Sequence, residues 1–242
     1  MKMAILIFCI TCLSMLSCAQ PPDSLVFTRP RAFTLRQWVI PATLIGIGTY
    51  GTLVDNSIIN RKHVREERNE HFPNFSSHID NYLQFAPIPV VYTLNALGIK
   101  GRHNWQQQTV YLARAQLFMA ALLYPAKTLT KTLRPDSSAR NAFPSGHTAQ
   151  AFVAATFFCK EYGQKYPLAT AGIFTMAAGI GACRVLNNRH WVSDVFAGAG
   201  LGILSVQLSY LFPPRPGKLA HPVTVIPSLQ QGAAGCTLYV GL

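Results

Sequence analysis

Charge is scarce in this sequence: only 12% of its 242 residues are Asp, Glu, Lys or Arg, whereas 50% are hydrophobic. With a mean hydropathy of +0.21, that favours a membrane protein, though less emphatically than a chain made wholly of spanning helices. Acids are rarer still, 9 against 21 Lys and Arg, which leaves a net charge of +12. Nucleic acid is excluded as a partner, because no basic helix, zinc spacing or RNA-binding pattern accompanies the charge. A basic surface suits anionic lipid headgroups instead. Cysteine offers no framework: beyond Cys9, Cys12 and Cys18 near the start, only Cys159, Cys183 and Cys236 remain. That odd remainder has no metal-ligand spacing, so neither an essential disulfide nor a metal site is expected. His63, His71 and His78 form no metal motif either. No internal repeat or low-complexity tract is evident.

The first residues, MKMAILIFCITCLSMLSCAQ, read as a secretory signal, with Lys2, an apolar stretch and then small residues. Cleavage after Ala19 makes residues 1–19 the signal peptide. Cys18 raises a lipoprotein alternative, for which Met15-Leu16-Ser17 is a poor lead-in. Residues 20–81 form an N-terminal segment. Within it, 38–54 is apolar but carries Pro41, Gly46, Gly48 and Gly51. At 1.5 Å per residue it reaches about 26 Å, the lower limit for crossing a membrane core of about 30 Å. Residues 59–81 are the most charged part of the chain and read as a solvated amphipathic helix and loop.

Five apolar segments follow, at about 82–98, 108–126, 147–162, 166–184 and 192–212. The expected fold is an all-α, polytopic membrane helix bundle of about five or six apolar helices, with 82–212 as its embedded core. Arg114 is costly in mid-bilayer unless it snorkels or faces the bundle interior. Gly198 and Gly202 make a GxxxG, read as a packing stripe. In the tail, 213–242, VTVI and CTLYV flank QQGAAG, which fits a small β-hairpin.

Three clusters between Lys127 and Asp194 carry chemistry. The first is KTLTKTLRP, with Lys127 seven positions before Arg134; the second is PSGH, ending at His147. The third is RVLNNRHWVSD, in which Arg184 precedes His190 by six positions and Asp194 follows it by four. Each is weak alone; together they describe a phosphoryl site. Phosphoryl transfer asks mainly for positioned cations and hydrogen-bond donors. Arg134 and Arg184 can fork bonds to phosphate oxygens, and Lys127 adds a point charge. Ser145 and Gly146 precede an apolar run, so their N–H groups should open a helix N-terminus, and Gly146 permits close approach. If a helix begins near His190, Asp194 lies one turn on and can hold one ring nitrogen, leaving the other free to attack phosphorus. His147 then serves as the general acid.

These clusters resemble the type 2 phosphatidic acid phosphatase superfamily in order and approximate spacing. The likeness extends from the motifs at 127–194 to about 82–212. It implies a metal-independent membrane lipid phosphatase without cofactor, with a phosphohistidine on His190, Asp194 orienting it and His147 as acid. It assigns Lys127, Arg134, Ser145, Gly146 and Arg184 to the phosphate. Cys183 departs from the pattern, standing where a Ser commonly precedes the arginine. The resemblance also implies the inner membrane of a bacterium, with the site facing the periplasm; that agrees with a cleaved signal if 38–54 does not fully span. Lipid A, undecaprenyl pyrophosphate, phosphatidylglycerol phosphate and phosphatidic acid are the candidate substrates. A vanadium-dependent haloperoxidase and a non-catalytic lipid-binding protein are the competing readings.

Overall fold

The computed structural model describes residues 35–54, 60–214, 223–230 and 233–240. The signal peptide expected at 1–19 lies outside them. The body ending at Phe212 is all-α, with eight helices among the described residues. They are α1 (Leu35–Leu53), α2 (Arg61–His71), α3 (Asp80–Leu83), α4 (Pro87–Ala96), α5 (Trp105–Thr130), α6 (Gly146–Tyr162), α7 (Pro167–Leu186) and α8 (Val192–Leu211). Residues 213–242 form a separate unit, in which β1 (Val223–Gln230) pairs antiparallel with β2 (Ala233–Val240), Val223 opposite Val240.

Helix α6 is buried almost all round, from Thr148 to Cys159, and α8 nearly so. A helix apolar on every side belongs at the centre of a bundle. Helices α1, α5 and α6 pack on α8, and α7 packs on α6. The small-residue stripe of α8 is what permits this. A Cβ on Gly198 would stand 2.5 Å from the Ser145 carbonyl oxygen, and one on Gly202 would stand 2.4 Å from that of Ala149. Backbone meets backbone at both points, so the GxxxG seats α8 directly on α6. Opposite it, a Cβ on Gly200 would come 2.7 Å from the Pro41 oxygen of α1.

Two expectations need correction. The apolar segment at 82–98 is not one helix but α3 of 4 residues and α4 of 10, separated by a turn before Pro87. Proline has no N–H for a preceding turn and is favoured at a helix start, so the chain restarts there; neither piece has spanning length. No essential disulfide was expected, and Cys159 is disulfide-bonded; Cys183 is a free thiol. Among the described residues two helices, α7 and α8, are long and apolar enough to cross a membrane. Arg114 turns to the bundle end, where its guanidinium donates to the Phe212 carbonyl just past α8.

Candidate active site

The succession α5, α6, α7, α8 brings four chain ends together. The last turns of α5 and α7 carry Lys127 and Arg184; the first turns of α6 and α8 carry His147 and Asp194. Helix N-termini favour negative charge, so α6 and α8 add to the field of the cations. Hydrogen bonds tie the three sequence clusters to one another. The Ser145 N–H donates to the Asp194 carbonyl at 3.0 Å, and the Trp191 indole N–H donates to the Leu133 carbonyl at 2.8 Å. Arg189 pairs with Asp136 at 3.1 Å.

His190 sits at the base, 3% exposed. Its Nδ1 lies 2.8 Å from the Ala142 carbonyl oxygen and 3.5 Å from Asp194 Oδ2. A carbonyl oxygen can only accept, so Nδ1 carries the proton and Nε2 the lone pair. Asp194 is therefore the longer of two partners on Nδ1, and its Oδ2 also accepts the Trp191 N–H at 2.9 Å, holding the first turn of α8. Burial lowers the His190 pKa; the Asp194 hydrogen bond and charge oppose this, while Lys127 and Arg184 add to it. The neutral ring, the form able to attack, is favoured.

Two of the cations, Lys127 and Arg134, meet at one loop residue. Asn141 accepts from Lys127 Nζ on its backbone oxygen at 2.6 Å and from Arg134 Nε on its side-chain oxygen at 2.9 Å. Burial and the Arg184 charge lower the Arg134 pKa from its ordinary value, yet a guanidinium remains charged. Arg184 is buried; its Nη1 donates to Asp80 Oδ2 at 2.8 Å, and its Nε has no hydrogen-bond partner among the described residues. Ser145 caps α6, its hydroxyl accepting from the Thr148 hydroxyl at 2.9 Å. A Cβ on Gly146 would meet only Leu123, at 3.9 Å. The protein's own packing leaves space at that position. His147 Nε2 lies 2.8 Å from Asn81 Oδ1. Among the described residues no group of three His, Cys, Asp or Glu gathers as a metal would need.

All eight residues singled out in the sequence thus lie at this end of the bundle. Asp80, Asn81, Asn141 and the Ala142 carbonyl join them without having been expected. The nearest sequence signal was Asp80, one of only nine acids, placed at the edge of an apolar run.

Lys127 carries a pH dependence. Burial lowers its pKa to about 8; Asp194 raises it, and Arg134 and Arg184 lower it further. If Lys127 holds phosphate, as the sequence leads one to expect, the charged amine is the form that binds, and kcat/KM should fall as pH rises through about 8. Bound phosphate restores the charge, so kcat should fall only at higher pH. Lys127→Arg should move the kcat/KM limb upward by more than about one unit, since guanidinium does not titrate there. An unmoved limb in a pH–rate profile would show that Lys127 is not its source.

A family model, the PAP2 superfamily, matches residues 105–218. The lipid A 1-phosphatase of Porphyromonas gingivalis is 36% identical over 202 residues, covering 83% of this chain and 43% of that protein. The chain thus spans less than half the length of this curated relative. A crystal structure of Aquifex aeolicus LpxE superposes with a TM-score of 0.45 at 22% identity, covering 61% of this chain and 94% of that one. With the three clusters joined at one end of the bundle inside the matched region, the chain belongs to the PAP2 superfamily.

Proposed function

We propose that this chain is a membrane phosphatase that removes phosphate from a lipid through a phosphohistidine on His190. The observation that carries the reading is the Ala142 carbonyl on His190 Nδ1, which leaves Nε2 as the nucleophile. Nε2 attacks phosphorus, and the bond from phosphorus to the lipid oxygen breaks. His147 donates its proton to that oxygen. Water then attacks the phosphohistidine, His147 takes a proton from it, and the phosphorus–nitrogen bond breaks to release phosphate. Lys127, Arg134, Arg184 and the N–H groups at Ser145 and Gly146 hold the charge throughout.

The apolar exterior supports membrane residence. Leu117, Tyr124 and Leu168 are exposed on α5 and α7. Exposed Tyr82, Phe85, Leu129 and Leu133 rim the site end, where a headgroup would reach the cations while its acyl chains stay in lipid.

We take the 1-phosphate of lipid A as the first substrate to test, because a relative bearing that name covers most of this chain. Purified protein in detergent, with excess chelator, should release phosphate from lipid A faster than from undecaprenyl pyrophosphate, phosphatidylglycerol phosphate or phosphatidic acid. Activity lost to the chelator and restored by magnesium or zinc would remove this mechanism; a faster rate on another lipid would reassign the substrate. The site should face the periplasm of the inner membrane. Ser138→Cys and Arg189→Cys, both at exposed loop positions, should then react with an impermeant thiol reagent on spheroplasts. Protection of both would place the site in the cytoplasm.

A further inference from the structure

The charged stretch before α4 reaches the site that the family motifs build. Arg68 Nε donates to the Leu186 carbonyl at 2.7 Å, at the end of α7. Ser77 and Asn187 exchange two hydrogen bonds: the Ser77 N–H with Asn187 Oδ1 at 2.9 Å, and Asn187 Nδ2 with the Ser77 carbonyl at 2.8 Å. Asp80, fully buried, holds Arg184. The next residue, Asn81, meets His147 on a different helix. Successive residues of a helix point about 100° apart, so a single turn can serve two partners. Helix α3 thus bridges the end of α7 and the start of α6.

We infer that Asn81 is a positioning residue for the general acid, an inference that rests on the phosphohistidine reading. Its Oδ1 accepts the Nε2–H of His147 and holds the ring about its side-chain bonds. The imidazolium keeps that bond and exchanges its other proton, on Nδ1, with the leaving oxygen. Without Asn81 the ring is free to turn, and proton transfer requires the donor within hydrogen-bond reach of the oxygen. The carboxamide is not what anchors α3. The Asn81 N–H donates to the His78 carbonyl and its own carbonyl accepts from Gln84; both bonds, and the Asp80–Arg184 and Ser77–Asn187 contacts, survive truncation to Ala.

The test compares a lipid phosphate, whose alkoxide needs a proton, with p-nitrophenyl phosphate, whose phenolate leaves unaided. Asn81→Ala should lower kcat on the lipid about 10- to 100-fold with KM little changed. Phosphohistidine trapped by rapid quench from the aryl ester should form within about threefold of the unsubstituted rate, which also reports a folded site. Asn81→Asp, which keeps the acceptor oxygen, should recover most of the lipid activity. Adding Asn81→Ala to His147→Ala should cost nothing further, because both remove one function. Equal losses on both esters, or additive losses in the double variant, would overturn the inference and make Asn81 merely structural. If His147→Ala discriminates the esters and Asn81→Ala does not, only this inference fails. If the unsubstituted protein traps no phosphohistidine at all, the catalytic reading fails with it.

Discussion

His190→Ala should abolish phosphate release from every ester, lipid or aryl, by on the order of 10⁴-fold or more. The reason is that no covalent intermediate can form, so leaving-group quality gives no rescue. Asp194→Asn should be milder. The Nδ1 proton of His190 is bonded to the Ala142 carbonyl at 2.8 Å, and Asp194 Oδ2 stands farther off at 3.5 Å. An amide at 194 therefore leaves the tautomer in place, and removes mainly the negative charge that supports the ring as positive charge develops. Rapid-quench trapping of acid-labile phosphohistidine from p-nitrophenyl phosphate reads both variants. An intermediate that forms in His190→Ala would place the nucleophile elsewhere.

His147→Ala should cost about 10²–10⁴-fold on a lipid ester, the usual range for loss of a general acid. On the aryl ester it should form phosphohistidine at close to the normal rate, because that leaving group needs no proton. Hydrolysis of the intermediate should then slow, since the same imidazole accepts the proton of the attacking water. Phosphoenzyme would accumulate. A phosphoenzyme that survives His190→Ala but disappears with His147→Ala would reverse the two roles. The contact with Asn81 sharpens the expectation, because it attributes part of the His147 contribution to orientation rather than to acidity alone.

These outcomes separate what is written in residue types from what depends on the folded chain. The cations, the two histidines and Asp194 could be singled out as candidates because phosphate chemistry restricts which side chains can serve; what the structure adds is that they lie at one end of the bundle. Helices α5 to α8 were legible for the same physical reason that they form. Long apolar runs carry a burial signal, and Ser145 before one of them is a start signal; the Asn104 cap and the Pro167 start belong to the structure. The break at Pro87 was missed because hydropathy averaged across it, although the proline was in plain view.

Only the tertiary structure decided how the site is held. The partner that sets the tautomer of His190 is a backbone carbonyl, and every residue has one, so Ala142 carries no mark in the sequence. Asn81 meets His147 across 66 positions, and Asp80 meets Arg184 across 104. No local pattern encodes such pairs: they exist because α8 seats closely on α6 through Gly198 and Gly202, and because α3 is tied down across the ends of α6 and α7. The sequence by itself determined which chemistry this chain can carry. Packing decided which atoms hold that chemistry in place, because a hydrogen bond is a matter of tenths of an ångström between groups that only the fold brings together.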